Sequence, residues 1–241
     1  RISAGYDQNV GGLQVADDIA DRYNFSVNYN TDVTDRLSIS TNMSYFSNNF
    51  SGPQDGLARD AATYDAPLFP TYNPQGQYYS VFGGVNIQGR RNAVGEVKDG
   101  GRITDINEQV KISGLINYKI TDKLGISGSY TYNQQNNENQ RYQVDVPLYS
   151  WDGDYATTIN AQTFIQEGSG KVTYQNYKGA LNYKNNFGSH NISGLLAVEA
   201  ERNESSSLIA RRNGFVDYGV YDLSLGATYQ LVTTGSSGNT W

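Results

Sequence analysis

The chain has no cysteine, one histidine, one methionine and five prolines in 241 residues, and each shortage removes a class of explanation. Without thiols there is no disulfide framework, no thiolate metal site and no cysteine nucleophile. A lone His190 cannot build paired-imidazole sites, and metal ligation falls back on carboxylates. No run approaches the ~18 consecutive apolar residues that a transmembrane helix requires. Nor is there a basic stripe. With 24 acidic and 18 basic residues the net charge is −6, which disfavours a nucleic-acid partner because the phosphate backbone would be repelled. No catalytic set, metal site or cofactor is expected. The N-terminus carries no charged and apolar leader, so an export signal is expected to lie outside this sequence or to have been removed.

What is abundant is tyrosine and glycine, 20 and 26 residues, with Thr, Ile and Val in strand-like segments. From Arg22, Tyr23, Phe25, Val27 and Tyr29 alternate with Asn24, Ser26, Asn28 and Asn30. After a polar turn, Leu37, Ile39, Met43 and Tyr45 share one side, opposite Ser38, Ser40, Asn42 and Ser44. Two such runs joined by a short turn predict a hairpin. A second pair places Val110, Ile112, Ile116, Tyr118 and Ile120 before the turn Thr121 to Lys123, with Leu124, Ile126, Tyr130 and Tyr132 after it. Leu115 interrupts the polar side. A third sets Tyr177, Leu181 and Tyr183 against Ile192, Leu196 and Val198 across Asn185 to His190.

Two turns are near-copies, Val33-Thr34-Asp35-Arg36-Leu37 and Ile120-Thr121-Asp122-Lys123-Leu124, and the Asp is expected to satisfy backbone donors in each. Between hairpins lie polar segments, approximately 47–104, 134–170 and 203–241. They are longer than the ~12 to 15 residues that already count as long in a compact domain. Short turns at one end and long loops at the other is the asymmetry of outer-membrane barrels, whose short turns face the periplasm and long loops the exterior. The expected fold is therefore all-β: an antiparallel transmembrane β-barrel segment, incomplete, over residues 1–241. The mean hydropathy of −0.60 does not oppose this, since only alternate residues of a barrel strand meet lipid.

Alternation alone also fits a soluble sandwich. The tyrosines discriminate: Tyr23, Tyr45, Tyr130 and Tyr132 are expected toward the long loops and Tyr29, Tyr118 and Tyr183 near the short turns, as two interfacial girdles. The plainer account is that Tyr has high β propensity and pairs across strands. Each run covers about the 9 to 11 residues needed to cross a bilayer at a tilt. About seven strands can be counted, too few to close, and unpaired edges are not tolerated in lipid. The sequence is thus expected to be a piece of a longer chain, opening mid-strand at Arg1 and stopping in a loop at Trp241.

The opening Arg1-Ile2-Ser3-Ala4-Gly5-Tyr6, then Arg22 to Asn28 and Val33 to Ile39, resembles consecutive barrel strands of SusC/RagA-like TonB-dependent transporters of Bacteroidota. Ala66-Pro67-Leu68-Phe69-Pro70-Thr71-Tyr72-Asn73-Pro74-Gln75-Gly76 is similar to a proline-bounded segment of that family. His190 to Leu196 and Leu223 to Gly226 agree more weakly. The resemblance implies a barrel of about 22 strands with a plugged lumen. It also implies active nutrient import across the outer membrane, energised by a TonB-ExbB-ExbD complex, beneath a SusD-like surface lipoprotein, with a glycan or oligopeptide ligand. Neither plug nor TonB box is visible here. A soluble β-sandwich adhesin or lectin and an outer-membrane barrel hydrolase remain open alternatives.

Asp152-Gly153-Asp154 has the start of a calcium loop without the further oxygen ligands, and is first a turn signal. Asp55 to Tyr64 could form a short helix, while Gly83-Gly84 and Gly235 to Gly238 read as flexible loop. The expected substrate-binding residues are the loop aromatics Tyr72, Tyr78, Tyr79, Tyr149 and Trp151, because rings hold sugars by their apolar faces. The competing account is that these rings pack loops together or contact the lipoprotein.

Overall fold

The structure is a computed structural model and describes the chain except residues 14, 55–68, 81–91, 217–218, 228–230 and 241. The helix expected at 55–64 and the Gly83-Gly84 stretch lie outside the described residues. Eight strands form one antiparallel sheet: β1 (Ile2–Val10), β2 (Ile19–Thr34), β3 (Leu37–Pro53), β4 (Gly101–Lys119), β5 (Leu124–Gln143), β8 (Phe164–Phe187), β9 (His190–Asn213) and β10 (Leu231–Thr240), in that spatial order. The short strands β6 (Val146–Tyr149) and β7 (Tyr155–Ile159) make a separate pair inside the β5–β8 connection, and helix α1 (Ala93–Asp99) precedes β4. This is an antiparallel β-barrel segment, with its sheet open at β1 and β10.

Register turns the alternation of each strand into two continuous faces. Val27, Met43, Ile112 and Tyr132 are direct neighbours across β2 to β5, and Leu37, Tyr118, Ile126, Leu181 and Leu196 form one row across β3 to β9. The opposite face carries rows such as Ser44, Lys111, Asn133, Tyr174 and Asn203. Leu115 falls among them, opposite Ser40 and Ser129. Among the described residues no second sheet covers the apolar face: Leu196 is 72% exposed, Val198 71%, Ile116 51% and Ile126 47%. The buried apolar side chains of the described residues are Val97, Ile103, Val144, Val146, Leu148, Phe164, Ile165 and Phe215, all at the long-loop end. A sandwich would have shown the reverse, with the strand faces dry and the loops wet. An apolar surface of this extent is a partner-seeking surface.

The short turns are staggered. Starting from the Leu37–Leu196 row, the hairpin tips lie one residue beyond Leu37 (Arg36), four beyond Tyr118 (Asp122) and seven beyond Leu181 (Gly188). Three residues of about 3.3 Å per two strand spacings of about 4.8 Å bring the tips to one level when the strands tilt by about 45°, near the tilt of membrane barrels. At that tilt Tyr29, Tyr118 and Tyr183 fall within about 3 Å of one level, and Tyr6, Tyr23, Tyr45, Tyr130, Tyr132 and Tyr177 within about 5 Å of a second, roughly 14 Å higher at their Cα atoms. Within the upper group, ring pairs meet at 5.0 Å (Tyr6–Tyr23) and 4.9 Å (Tyr130–Tyr177). Val27, Leu181 and Leu196 lie between the levels. The expected pairing of tyrosines across strands and their banding thus coexist.

Three expectations are corrected. The turn donors go to threonine, not aspartate: Thr34 Oγ1 accepts from Arg36 N at 3.2 Å and Leu37 N at 3.0 Å, and Thr121 Oγ1 from Lys123 N at 3.2 Å and Leu124 N at 3.1 Å. Thr sits one residue before Asp, so its hydroxyl reaches donors two and three positions on. Gly235 to Gly238 is not loop but part of β10, paired with Leu208 to Ser205. Finally, the ribbons run far past the expected loop boundaries, with β3 ending at Pro53, β4 starting at Gly101, β5 ending at Gln143 and β8 starting at Phe164. Strands of 16 to 24 residues exceed the ~10 needed for a bilayer, so much of each "loop" is strand standing above the upper tyrosine level.

Candidate functional site

The long-loop end is built around two asparagines. Asn73, 5% exposed, closes the turn Asn73-Pro74-Gln75-Gly76: its Oδ1 accepts from Gln75 N at 3.1 Å and Gln77 N at 2.9 Å, while its Nδ2 donates to Gln77 Oε1 at 2.9 Å and Ser150 O at 3.0 Å. Gly76 completes the turn at φ +80°, a conformation that favours glycine. Asn92 caps α1 by accepting from Gly95 N at 2.9 Å and gives its amide hydrogens to Thr71 O (2.7 Å) and Tyr79 O (3.1 Å). One side chain therefore starts a helix and pins the segment beside it.

Backbone bridges then draw the aromatics together. Tyr72 pairs with Tyr78 and Tyr79 with Tyr149; Tyr149 N donates to Tyr78 O at 2.8 Å and Ser80 N to Tyr149 O at 2.9 Å. Tyr72 and Tyr78 stack at 5.4 Å, Tyr79 meets Trp151 edge-on at 5.7 Å, and Tyr149 meets Tyr155 edge-on at 6.4 Å. All five expected residues thus belong to one cluster. Tyr155, not expected from sequence, joins it from β7. Tyr72, Trp151 and Tyr155 remain exposed and present their rings outward.

Tyr78 is the anchor. Its ring lies where a Cβ on Gly95 would approach to 2.9 Å, and its hydroxyl donates to Asp99 Oδ2 at 2.5 Å. Burial first, and the Asp99 carboxylate second, push the phenol well above its ordinary value of 10.0. A raised pKa means the folded state holds the proton more tightly. The cluster's contribution is therefore complete below pH about 10 and is lost as pH rises beyond it. In an alkaline ultraviolet titration, Tyr78→Phe is expected to remove one late-ionising phenol. A difference spectrum titrating at the ordinary tyrosine value would contradict this burial.

A cleft of about 530 Å³ opens beside the cluster, lined by Tyr78, Tyr149, Tyr142, Tyr221, Lys98 and Arg102 among others. Tyr142 and Tyr221 stack at 3.6 Å, which fixes one wall. Arg102 is engaged, donating to Asp17 O at 2.8 Å and Ser51 Oγ at 3.3 Å. Gly214 to Val216 and Gly219 to Gly226 fold over the neighbouring strands: Phe215 packs on the buried Ile165, and Arg212 Nη1 reaches Leu223 O (3.0 Å), Ser224 O (3.2 Å) and Gly226 O (3.3 Å). Hydrogen bonds from the Ser224 hydroxyl and backbone hold the Asp222 carboxyl below its usual range. Among the described residues no group of three or more His, Cys, Asp or Glu could hold a metal, Asp152 and Asp154 included.

These features define a β-barrel segment whose long-loop end carries an ordered aromatic cluster. No family model matches the chain, and no curated protein matches it. Among solved structures it is similar to the RagAB peptide importer in the 'closed-closed' state (TM-score 0.71, 15% identity), the RagAB peptide transporter (0.70, 14%) and the RagAB peptide importer in the 'open-open' state (0.73, 14%). Each match covers 99% of this chain and 26% of the other. The chain spans about a quarter of the length of those structures, and at this identity the likeness establishes the fold.

Proposed function

We propose that the chain is part of the barrel wall of a SusC/RagA-like, TonB-dependent importer in the bacterial outer membrane, taking up a peptide or glycan nutrient together with a SusD-like surface lipoprotein. The observation that carries the reading is the apolar face: one tilted sheet, banded by tyrosine at two levels, with no described residue folded across it between those levels. Hydrocarbon is the environment that rewards such a face, since aliphatic side chains fill the core and phenols prefer the interfaces. The polar face, with Asn, Ser, Thr and Lys, would line the lumen. Peptide is the favoured ligand class because the similar structures carry that description.

The aromatic cluster suits a different task from direct sugar stacking. Most of its rings are spent on one another, and the exposed set, Tyr72, Trp151 and Tyr155, forms a surface of the kind that anchors protein interfaces. In this account it receives the lipoprotein, while ligand is held on the lumen face. The test is genetic. Deleting the encoding gene should abolish growth on an oligopeptide mixture as sole nitrogen source and leave growth on ammonium unchanged, and loss of TonB should do the same. Unimpaired growth on both peptides and oligosaccharides would remove the import reading.

A further inference from the structure

Neighbouring arginines at the end of β9 do opposite things. Arg212 points to the apolar side and spends its donors on the 223–226 carbonyls, as described. Arg211 points to the polar side, where its guanidinium lies 3.7 Å over the Phe164 ring and its Nε donates to Asn213 Oδ1 at 2.9 Å. Ring and asparagine fix the plane of the group, and among the described residues no acceptor meets its two Nη atoms. Register places Arg141, Gln166 and Arg211 in one row of the same face across β5, β8 and β9. Arg141 is thus about 10 Å away strand to strand, and its like charge acts on Arg211. Among the described strand residues of this face the acid nearest in register, Asp105, sits in β4, beyond Arg141, and accepts from Asn139.

We propose that Arg211, with Gln166 beside it in the same row, forms a carboxylate-binding subsite on the lumen face of the long-loop end. A planar fork held by an aromatic ring and an amide presents two parallel N–H donors, the geometry that a carboxylate accepts bidentately. The Gln166 amide adds a donor in the same row. The shared ligand chemistry is a carboxylate, from a peptide terminus or an acidic sugar. The inference rests on the import reading, since it assumes that this face lines a lumen through which ligand passes.

The experiment is calorimetric titration of the full-length protein with its lipoprotein partner, using pentaalanine against its C-terminal amide and trigalacturonate against maltotriose. Native protein should bind the charged member of at least one pair about tenfold or more tightly than its neutral partner, as one charge-assisted pair commonly gives; which pair responds identifies the source. Arg211→Gln should bring that ratio to within about twofold and leave the neutral member's affinity unchanged, which also shows that the variant is folded. Arg211→Lys should retain part of the preference. Equal affinities within both pairs in native protein, no binding of any of the four, or an unchanged ratio in Arg211→Gln would each overturn the subsite. The import reading stands apart from this result, because the growth phenotype of the gene deletion is scored separately.

Discussion

Leu181→Arg in the full-length protein is expected to destabilise the folded barrel by about 2 to 4 kcal/mol, the cost of a cation near the midplane of a lipid-facing strand. Leu181 sits between the two tyrosine levels, flanked by Ile126 and Leu196 in its row. Snorkelling recovers only part of this cost, with the lower tyrosine level two residues along the strand at Tyr183 and the upper one four residues back at Tyr177. Asn182→Arg, one residue on and facing the opposite side, meets polar or aqueous surroundings and should change stability by less than about 1 kcal/mol. Reversible urea unfolding in phospholipid vesicles measures both. Arginine at Ile126 should behave like Leu181→Arg with a smaller cost, since Ile126 lies closer to the lower tyrosine level. Equal tolerance of Leu181→Arg and Asn182→Arg would remove the assignment of faces.

Asn73→Ala is expected to release the long-loop cluster while the sheet stays intact. Its side chain satisfies two backbone N–H groups and the Ser150 carbonyl, and ties the 69–80 segment to the β6–β7 pair. Alanine orphans those groups in a buried place at about 1 to 3 kcal/mol each, partly recovered by entering water. A net local loss on the order of 3 kcal/mol corresponds to roughly 100-fold faster hydrogen exchange at the Gln75 and Gln77 amides. The amides of β8 and β9 should be unaffected, because no contact of Asn73 reaches them. Exchange at Gln75 and Gln77 within about threefold of native would mean that the turn does not depend on this side chain.

The hairpins were legible where one face is apolar and the other polar, as at Tyr23 to Tyr29 and Leu37 to Tyr45. Higher up, the signal disappears for a physical reason. Both faces of the ribbon are polar there, so Asn133-Gln134-Gln135-Asn136-Asn137-Glu138-Asn139-Gln140 forms strand without any alternation, and its composition imitates a loop. The same holds for Gly235 to Gly238, paired with Leu208 and the serine run Ser207 to Ser205. The aromatic residues of the loop end could be picked out by type, but the bridge joining Tyr79 to Tyr149 spans two connections and leaves no local trace. Asn73 and Asn92, the side chains that organise the cluster, look in sequence like ordinary turn and cap residues. Arg211 and Arg212 look alike; only register assigns them to opposite faces.

The measurement that reaches the central claim most directly uses the absence of cysteine from this chain. Leu181→Cys and Asn182→Cys, each the sole cysteine of the full-length protein and carrying an environment-sensitive fluorophore, are compared in vesicles whose lipids bear brominated acyl chains. The account predicts strong quenching at position 181 and little at 182, since only the first label contacts hydrocarbon. Absence of quenching at 181, with the protein folded and inserted, would contradict it.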